Sequence, residues 1–403
     1  MYSILLLVKR LKGRWIMQAM IQQDLLLWAV ERASATIDVL SKKIQVNEDK
    51  IVKWLKGEDK PTFKQAQKLA KILQIPFGYL FLSEIPQEKL PLPDFRTIKD
   101  EPTYHISPIL KELLYDLDRK QRWFKDYTIE NGGEPLDFIG KFSLNSPKEE
   151  IVADIRKKLK WSDNFQKSSK ENYISIISKS AEKLGIVVMR SSYFGGSTQK
   201  SIKVDELRGL AISDEYAPLV FVNTADAKSA QIFTLAHELA HLWIGESGIS
   251  DLQKFVASNN QIEKFCNEIS AELLVPQKDF MSLWHRDEAL EENAKKLSDR
   301  YLVSPIMIAK RAYDLKFISY VEYSEFYAKQ TALWKTIKEK QKEEKKSSGD
   351  YYRTTPVRLG RLFSESVVYA TLEGKLLYRD ATKLLNMTQM STFKKYAKEI
   401  RGY

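Results

Sequence analysis

The run Ala236-His237-Glu238-Leu239-Ala240-His241-Leu242 constrains this chain more than any other stretch. Residues four apart are neighbours on one face of a helix but about 13 Å apart along a strand. On a helix, His237 and His241 can therefore ligate a single ion. The apolar neighbours Leu235, Leu239, Ala240 and Leu242 mark that helix as buried, and the chain spends two of its four histidines here. Core histidines can instead be packing residues satisfied by backbone groups. Two imidazoles and a carboxylate among apolar neighbours nevertheless need partners, and a metal supplies them. Zinc suits imidazole nitrogen, and its tetrahedral preference leaves one position open when the protein provides three ligands. Glu238 is then the candidate general base, taking a proton from water as it attacks a carbonyl that the ion polarises. A third ligand is required. Glu263, Glu268 and Glu272 all fall on the next helical segment, Gln261 to Val275, and spacing leaves the choice among them open.

Composition narrows what can surround that helix. With 43% hydrophobic and 29% charged residues, 403 residues hold two or three cored domains rather than a disordered chain. Apolar stretches such as Ile4 to Val8 fall far short of the roughly 20 residues of a membrane helix, so no membrane association is expected. Lys9, Arg10, Lys12 and Arg14 follow that stretch, whereas an export signal places its positive charge first. Cys266 is the one cysteine, which forbids an internal disulfide and suits a reducing compartment. A cytoplasmic location is the expectation. The formal charge of +11 favours nucleic acid or an acidic protein as partner.

Residues 1–19 fit no pattern and are left unassigned, with Met17 and Met20 as alternative starts. Residues 20–85 read as short helices, Leu25 to Arg32, Ile37 to Ile44, Lys50 to Leu55 and Phe63 to Leu73. The connection Gln45-Val46-Asn47, with Asn47 capping the third helix, has the geometry of a helix-turn-helix. Its expected core is Leu40, Ile44, Val46, Ile51, Trp54 and Leu55. Such a domain would present Lys50 and Lys53, with Asn47 at the helix entrance, to double-stranded DNA, and Lys42, Lys43 and Lys60 to the phosphate backbone. Glu48 and Asp49 oppose this, and residues 20–84 hold ten basic against eight acidic side chains, a balance of +2. Weak, salt-sensitive binding helped by a homodimer is therefore expected. A helix-turn-helix used only for protein docking is the competing reading. Pro86, Pro91, Pro93 and Pro102 make residues 86–103 a stiff linker.

Residues 104–330 open with a helical lead-in and then change period. Gly185 to Arg190, Leu207 to Ser213 and Leu219 to Asn223 read as strands of a small sheet. A helix follows from near Asp226, which can cap it, and further helices are expected over residues 261–275, 277–286, 289–300 and 305–314. Residues 331–350 read as a solvated helix running into a hinge, with six lysines and three glutamates between 335 and 346. Residues 351–403 read as a helical C-terminal module in which aromatic and basic residues interleave, among them Tyr352, Arg358, Arg361 and Phe363. The fold class is α+β and mostly helical.

The stretches RGLAISDEYAPLVFVN, FTLAHELAHLW and EKFCNEISAELLVP resemble the ImmA/IrrE metallo-endopeptidases. ERASATIDVLSKKIQVNEDKIVKWLKGEDKPT resembles the Xre-type DNA-binding domain often joined in front of them, and YYRTTPVRLGRLFSESVVYATLEGKLLYRDATKLL looks like the tail of the long, three-part members. The resemblance covers most of residues 24 to 398. It implies a gluzincin-like peptidase domain in which a small sheet lies beside an active-site helix and a ligand-bearing helix. It implies Zn2+ held by His237, His241 and the glutamate of an E-x-x-[AC]-N pattern, which falls on Glu263. It also implies cleavage of a repressor or other regulatory protein, coupled to an operator on DNA, with low activity until a trigger opens the site. The competing implication is a transcriptional repressor or antitoxin that binds DNA and a toxin and cleaves nothing. Cys266, three residues after Glu263, would share its helix face, either near the metal or, more simply, as a packing residue. His285 is a further candidate near the reacting carbonyl, a surface role being the simpler reading.

Overall fold

A computed structural model describes residues 6–11, 14–33, 35–73, 75–86, 107–161, 169–195, 200–245, 248–250, 261–342 and 351–401. The chain forms two units, Met1–Tyr115 and Asp116–Tyr403, and the division falls inside the helix Pro108–Glu130 rather than at the proline-rich stretch. Residues 87–106, which hold most of the expected linker, lie outside the described residues.

The first unit begins with a hairpin of β1 (Leu6–Leu11) and β2 (Arg14–Ala19), paired antiparallel from Leu6↔Ala19 to Leu11↔Arg14. The basic residues Lys9, Arg10 and Arg14 hide the alternation by which a strand is read, which is why residues 1–19 carry no assignment from sequence. The hairpin is anchored at its end, where Ala19 is buried and its N–H donates to the carbonyl of Pro61 (2.9 Å). Four helices follow: α1 (Gln23–Arg32), α2 (Ile37–Ile44), α3 (Glu48–Leu55) and α4 (Phe63–Ile72). Thr36 caps α2, and Gln45, left-handed at φ 66°, ends it. Asn47 then caps α3 by accepting the N–H of Asp49 (3.3 Å), while Thr62 and Gln65 form a reciprocal capping box on α4. Leu40, Ile44, Ile51 and Trp54 are buried in the core, and Val46 and Leu55 pack half-buried against it.

The second unit begins within α5 (Pro108–Glu130), after which α6 (Lys148–Lys158) and α7 (Lys170–Lys183) lead into β3 (Val187–Ser191), β4 (Gly209–Ile212) and β5 (Leu219–Asn223). Next come α8 (Lys228–Trp243), β6 (Gly248–Ser250) and α9 (Gln261–Leu274). They are followed by α10 (Gln277–Leu283), α11 (Leu290–Tyr301), α12 (Pro305–Asp314) and α13 (Tyr320–Lys342). The sheet order is β3-β5-β4-β6, with β3 parallel to β5 and the other pairs antiparallel. Every residue of β3, β4 and β5 is buried, so these strands read as continuous apolar runs. β6, with three residues, offers no pattern to read. α8 packs on β4, β5, α7 and α9, and every residue from Gln231 to Trp243 is buried. A helix buried on all sides belongs at the centre of a core, and this one carries its polar residues His237, Glu238 and His241 there with it. Among the described residues no helix is long and apolar enough to cross a membrane.

Four helices close the unit: α14 (Tyr351–Leu359), α15 (Arg361–Leu372), α16 (Tyr378–Leu384) and α17 (Met390–Arg401). The sequence sets this segment apart as a module behind a hinge, but α14 and α15 pack on β3, the edge of the sheet, and α15 also on α7. The segment thus covers an edge strand that would otherwise invite pairing. Residues 343–350, the expected hinge, lie outside the described residues. Gly360 makes the close approach: its φ is +78°, and a Cβ there would stand 3.2 Å from both the Val188 carbonyl and Val187 Cγ1. Because Gly360 has no capping side chain, Glu182 of α7 does that work, its Oε1 accepting the N–H of Leu362 (3.2 Å). Burial pushes the Glu182 carboxyl up to about 7, opposed by hydrogen bonds from the backbone of Leu362 and Arg361; Glu365 adds to the rise and Arg190 counters it.

Two outcomes follow from this seam. Gly360→Ala is expected to lower stability by about 1–3 kcal/mol, read from urea unfolding midpoints, because a side chain is strained at this φ. Glu182 binds its proton more tightly in the folded chain than in the unfolded one, where its value is about 4.3. Its contribution to stability therefore falls as pH rises from about 4.3 to about 7 and levels off above that. Glu182→Gln keeps the acceptor for Leu362 and should flatten this part of the pH–stability curve; an unchanged curve would show that the carboxyl does not titrate in that window.

Candidate metal centre

The turn into α8 sets where the histidines lie. Asn223, fully buried at the end of β5, donates from Nδ2 to the carbonyls of Ile202 (3.1 Å) and Leu207 (2.9 Å) and accepts the N–H of Ala225 (2.9 Å). Asp226 does not cap α8 as the sequence suggests. The N-cap is Ala227, and no side chain caps the helix. Asp226 instead pairs with Arg208 (2.9 Å) and accepts the N–H of Ala227 (2.8 Å), a charged partner being the stronger one. Gln231 reaches back to the carbonyls of Thr224 (3.2 Å) and Asp226 (2.7 Å) and fixes the first turn.

From this frame His237 and His241 converge with Glu263, which stands in the first turn of α9. The two Nε2 atoms are 3.0 Å apart; His237 Nε2 lies 3.1 Å from Glu263 Oε2, and His241 Nε2 lies 3.3 Å from Oε1. The histidine side chains are at most 2% exposed, while Glu263 keeps 21% of its side chain open. Burial alone would raise the Glu263 carboxyl, but the hydrogen bonds and charge of His237 and His241 outweigh it and hold the group well below the usual carboxylate range.

The spacing suits a metal. Bonds of about 2.0–2.1 Å in a tetrahedron place neighbouring donors roughly 3.3–3.4 Å apart, close to what this trio adopts. Two ring nitrogens and a carboxylate aimed at one point can share at most one or two protons among them, and a divalent cation satisfies all three at once.

The same geometry decides among the carboxylates that spacing left open. Glu268 pairs with Lys148, and Glu272 pairs with Arg311 and accepts the N–H of Gln277 (3.0 Å), so neither joins the cluster. Cys266 is fully buried in the apolar core and is not one of the converging donors, in keeping with a packing role. His285 is exposed, its backbone held by the Asn293 side chain. In the first unit Asn47, Lys42, Lys43, Lys50 and Lys53 are all exposed, and Lys42 is engaged by Asp38 (2.7 Å).

Glu238 is fully buried and turned toward β4. A Cβ at Gly209 would lie 2.3 Å from Glu238 Oε1 and 2.4 Å from Thr234 Cγ2. Only glycine leaves room for that carboxylate beside the strand. Gly209 is the functional position that the sequence reading passes over, and its signal was available, since a glycine inside an apolar strand marks a close approach. Gly209→Ala is expected to cost about 1–3 kcal/mol through overpacking while leaving divalent-ion uptake intact, because the donors come from α8 and α9. Urea unfolding combined with metal titration of the variant reads both; loss of metal binding would mean that β4 also sets the donor geometry.

Residues 181–313 match the family model of the IrrE N-terminal-like domain, a peptidase M78 model, and residues 359–399 match a domain of unknown function, DUF8813. No curated protein matches the chain. The first match runs from the end of α7 to α12 and contains Gly209, His237, Glu238, His241 and Glu263. This part of the chain is therefore similar to the metallopeptidase domain of the ImmA/IrrE family, and the His-His-Glu cluster lies within it.

Proposed function

We propose that the second unit is a cytoplasmic zinc-dependent endopeptidase that cuts a repressor or other regulatory protein, and that the first unit binds operator DNA as part of a homodimer. The convergence of His237, His241 and Glu263 carries the reading. These three would hold Zn2+, which supplies Lewis-acid polarisation of a carbonyl and activation of water. Glu238 would take the proton from the attacking water and pass it to the amine that leaves. Its burial beside Gly209 fixes where that carboxylate can stand, so water and peptide must come to it. Phe233, whose ring centroid lies 6.2 Å from that of His237, limits the freedom of the first imidazole.

Glu238→Gln should retain stoichiometric zinc and lose about 100-fold or more in peptide-bond hydrolysis, whereas His237→Ala should lose the metal itself. Undiminished cleavage by Glu238→Gln would sink the mechanism, and absence of zinc uptake by the wild-type chain would sink the whole reading.

One observation favours a second reading. His237, Glu238 and His241 are at most 1% exposed, as suits a metal that serves structure in a repressor or antitoxin that binds its toxin and cuts nothing. Repression or toxin neutralisation that survives Glu238→Gln at full strength would select it.

For the first unit, the exposed lysines of α3 and the cap at Asn47 support a recognition helix. Replacing Lys50 and Lys53 by Ala should reduce the slope of log affinity against log salt by about one per phosphate contact removed. An unchanged slope would leave the helix-turn-helix as a protein-docking module.

A further inference from the structure

Arg190 contradicts the strand on which it stands. It follows Val187, Val188 and Met189 on β3 and is itself only 6% exposed. Its Nη1 is buried and has no hydrogen-bond partner among the described residues, and Glu171 and Glu182 act on it through space. Burial pushes the guanidinium below its ordinary value, the direction expected of a charge short of partners. A buried guanidinium left in this state is strongly unfavourable unless something else meets it.

Arg190 borders a cavity of about 290 Å³ between α7, β3, α14 and α17. Val188, Val357 and Ile400 give that cavity apolar walls, and Ser175 and Ser178 bring hydroxyls from α7. Its cations are Lys179, Arg190 and Arg361, the last shared with Glu365 (2.7 Å); its carboxylates are Glu182 and Glu399. Glu171 is shared with Lys228 (2.7 Å), and Glu182, its carboxyl pushed up to about 7, carries only part of a charge near neutrality, so neither fully answers Arg190.

We propose that this cavity binds a small organic anion, a phosphate or carboxylate on an apolar body about the size of one ring, with Arg190 as its charge partner. The planar fork of a guanidinium matches both head groups. The volume is at the lower end of the range for ligand pockets, roughly 300–1,000 Å³, which fits one ring and its head group. Because the walls come from both the sheet edge and residues 351–401, an occupant ties that segment to β3. None of the walls belongs to the His-His-Glu cluster, so the proposal stands whether or not the chain is a peptidase.

Thermal unfolding and calorimetric titration of the full chain test it. The probes are phenyl phosphate for the phosphate source and benzoate for the carboxylate source, with benzyl alcohol and sodium chloride at matched ionic strength as controls. At least one acid should raise the unfolding midpoint in a saturable way that neither control reproduces, and the acid that does so names the head group. Arg190→Met should weaken that response at least tenfold while leaving the probe-free midpoint equal to or above that of the wild type. Val357→Trp, which fills the α14 wall and keeps Arg190, should abolish the response as well. The proposal falls if neither acid shifts the midpoint beyond the controls, or if the shift survives in both variants. It also falls if Arg190→Met lowers the probe-free midpoint, since the guanidinium would then already have its partner in the fold.

Discussion

Two imidazole nitrogens 3.0 Å apart, each within 3.3 Å of an oxygen of one carboxylate in a protein interior, repel unless a cation or a proton stands among them. Much of the second unit is arranged to impose that proximity. α8 is buried on every side between the sheet, α7 and α9, so its imidazoles cannot turn to water. α9 is pressed against it by Cys266, Ile269 and Leu273, all fully buried, which leaves Glu263 in the first turn facing the histidines. The free energy of filling this centre with a metal is then also free energy of folding, because the unfolded chain holds no such trio.

How much of this was legible before any coordinates depends on the range of the interaction. The cap at Asn47, the helix bearing His237 and His241, and the strands β3, β4 and β5 follow from local patterns, and all are present in the structure. The choice of Glu263 over Glu268 and Glu272 could not come from periodicity, since all three share a helix. It depends on Lys148 and Arg311, residues far away in sequence that occupy the other two. Asp226 failed as a cap for the same reason, Arg208 having claimed it. The docking of residues 351–401 on β3 was illegible because nothing local in those helices says what they will cover.

Two residues in the central strands break the local rule for a buried sheet, and their positions are related. Arg190 on β3 pairs with Val222 on β5, and Val222 pairs in turn with Gly209 on β4. The three form one row across the sheet, spanning two strand spacings or about 10 Å. Partners directly opposite each other point to the same face, here the face covered by α7 and α8. At one end of the row the missing side chain of Gly209 admits the Glu238 carboxylate; at the other the long side chain of Arg190 opens into a cavity beneath α7.

At the Arg190 end an apolar residue would serve stability better, and at the Gly209 end the strand gives up side-chain packing to leave room for the Glu238 carboxylate. Departures of this kind gather where a structure does chemistry or binds something, with the cost offset by packing elsewhere. The neighbours supply that offset: Val187, Val188, Val220, Phe221 and Val222 are all buried, and α7 rests on both β3 and α8. One short sheet therefore positions a carboxylate beside a candidate metal centre and a guanidinium beside a candidate anion site. The helix over the second is packed against the helix that bears the first, so the two sites share one close-packed layer.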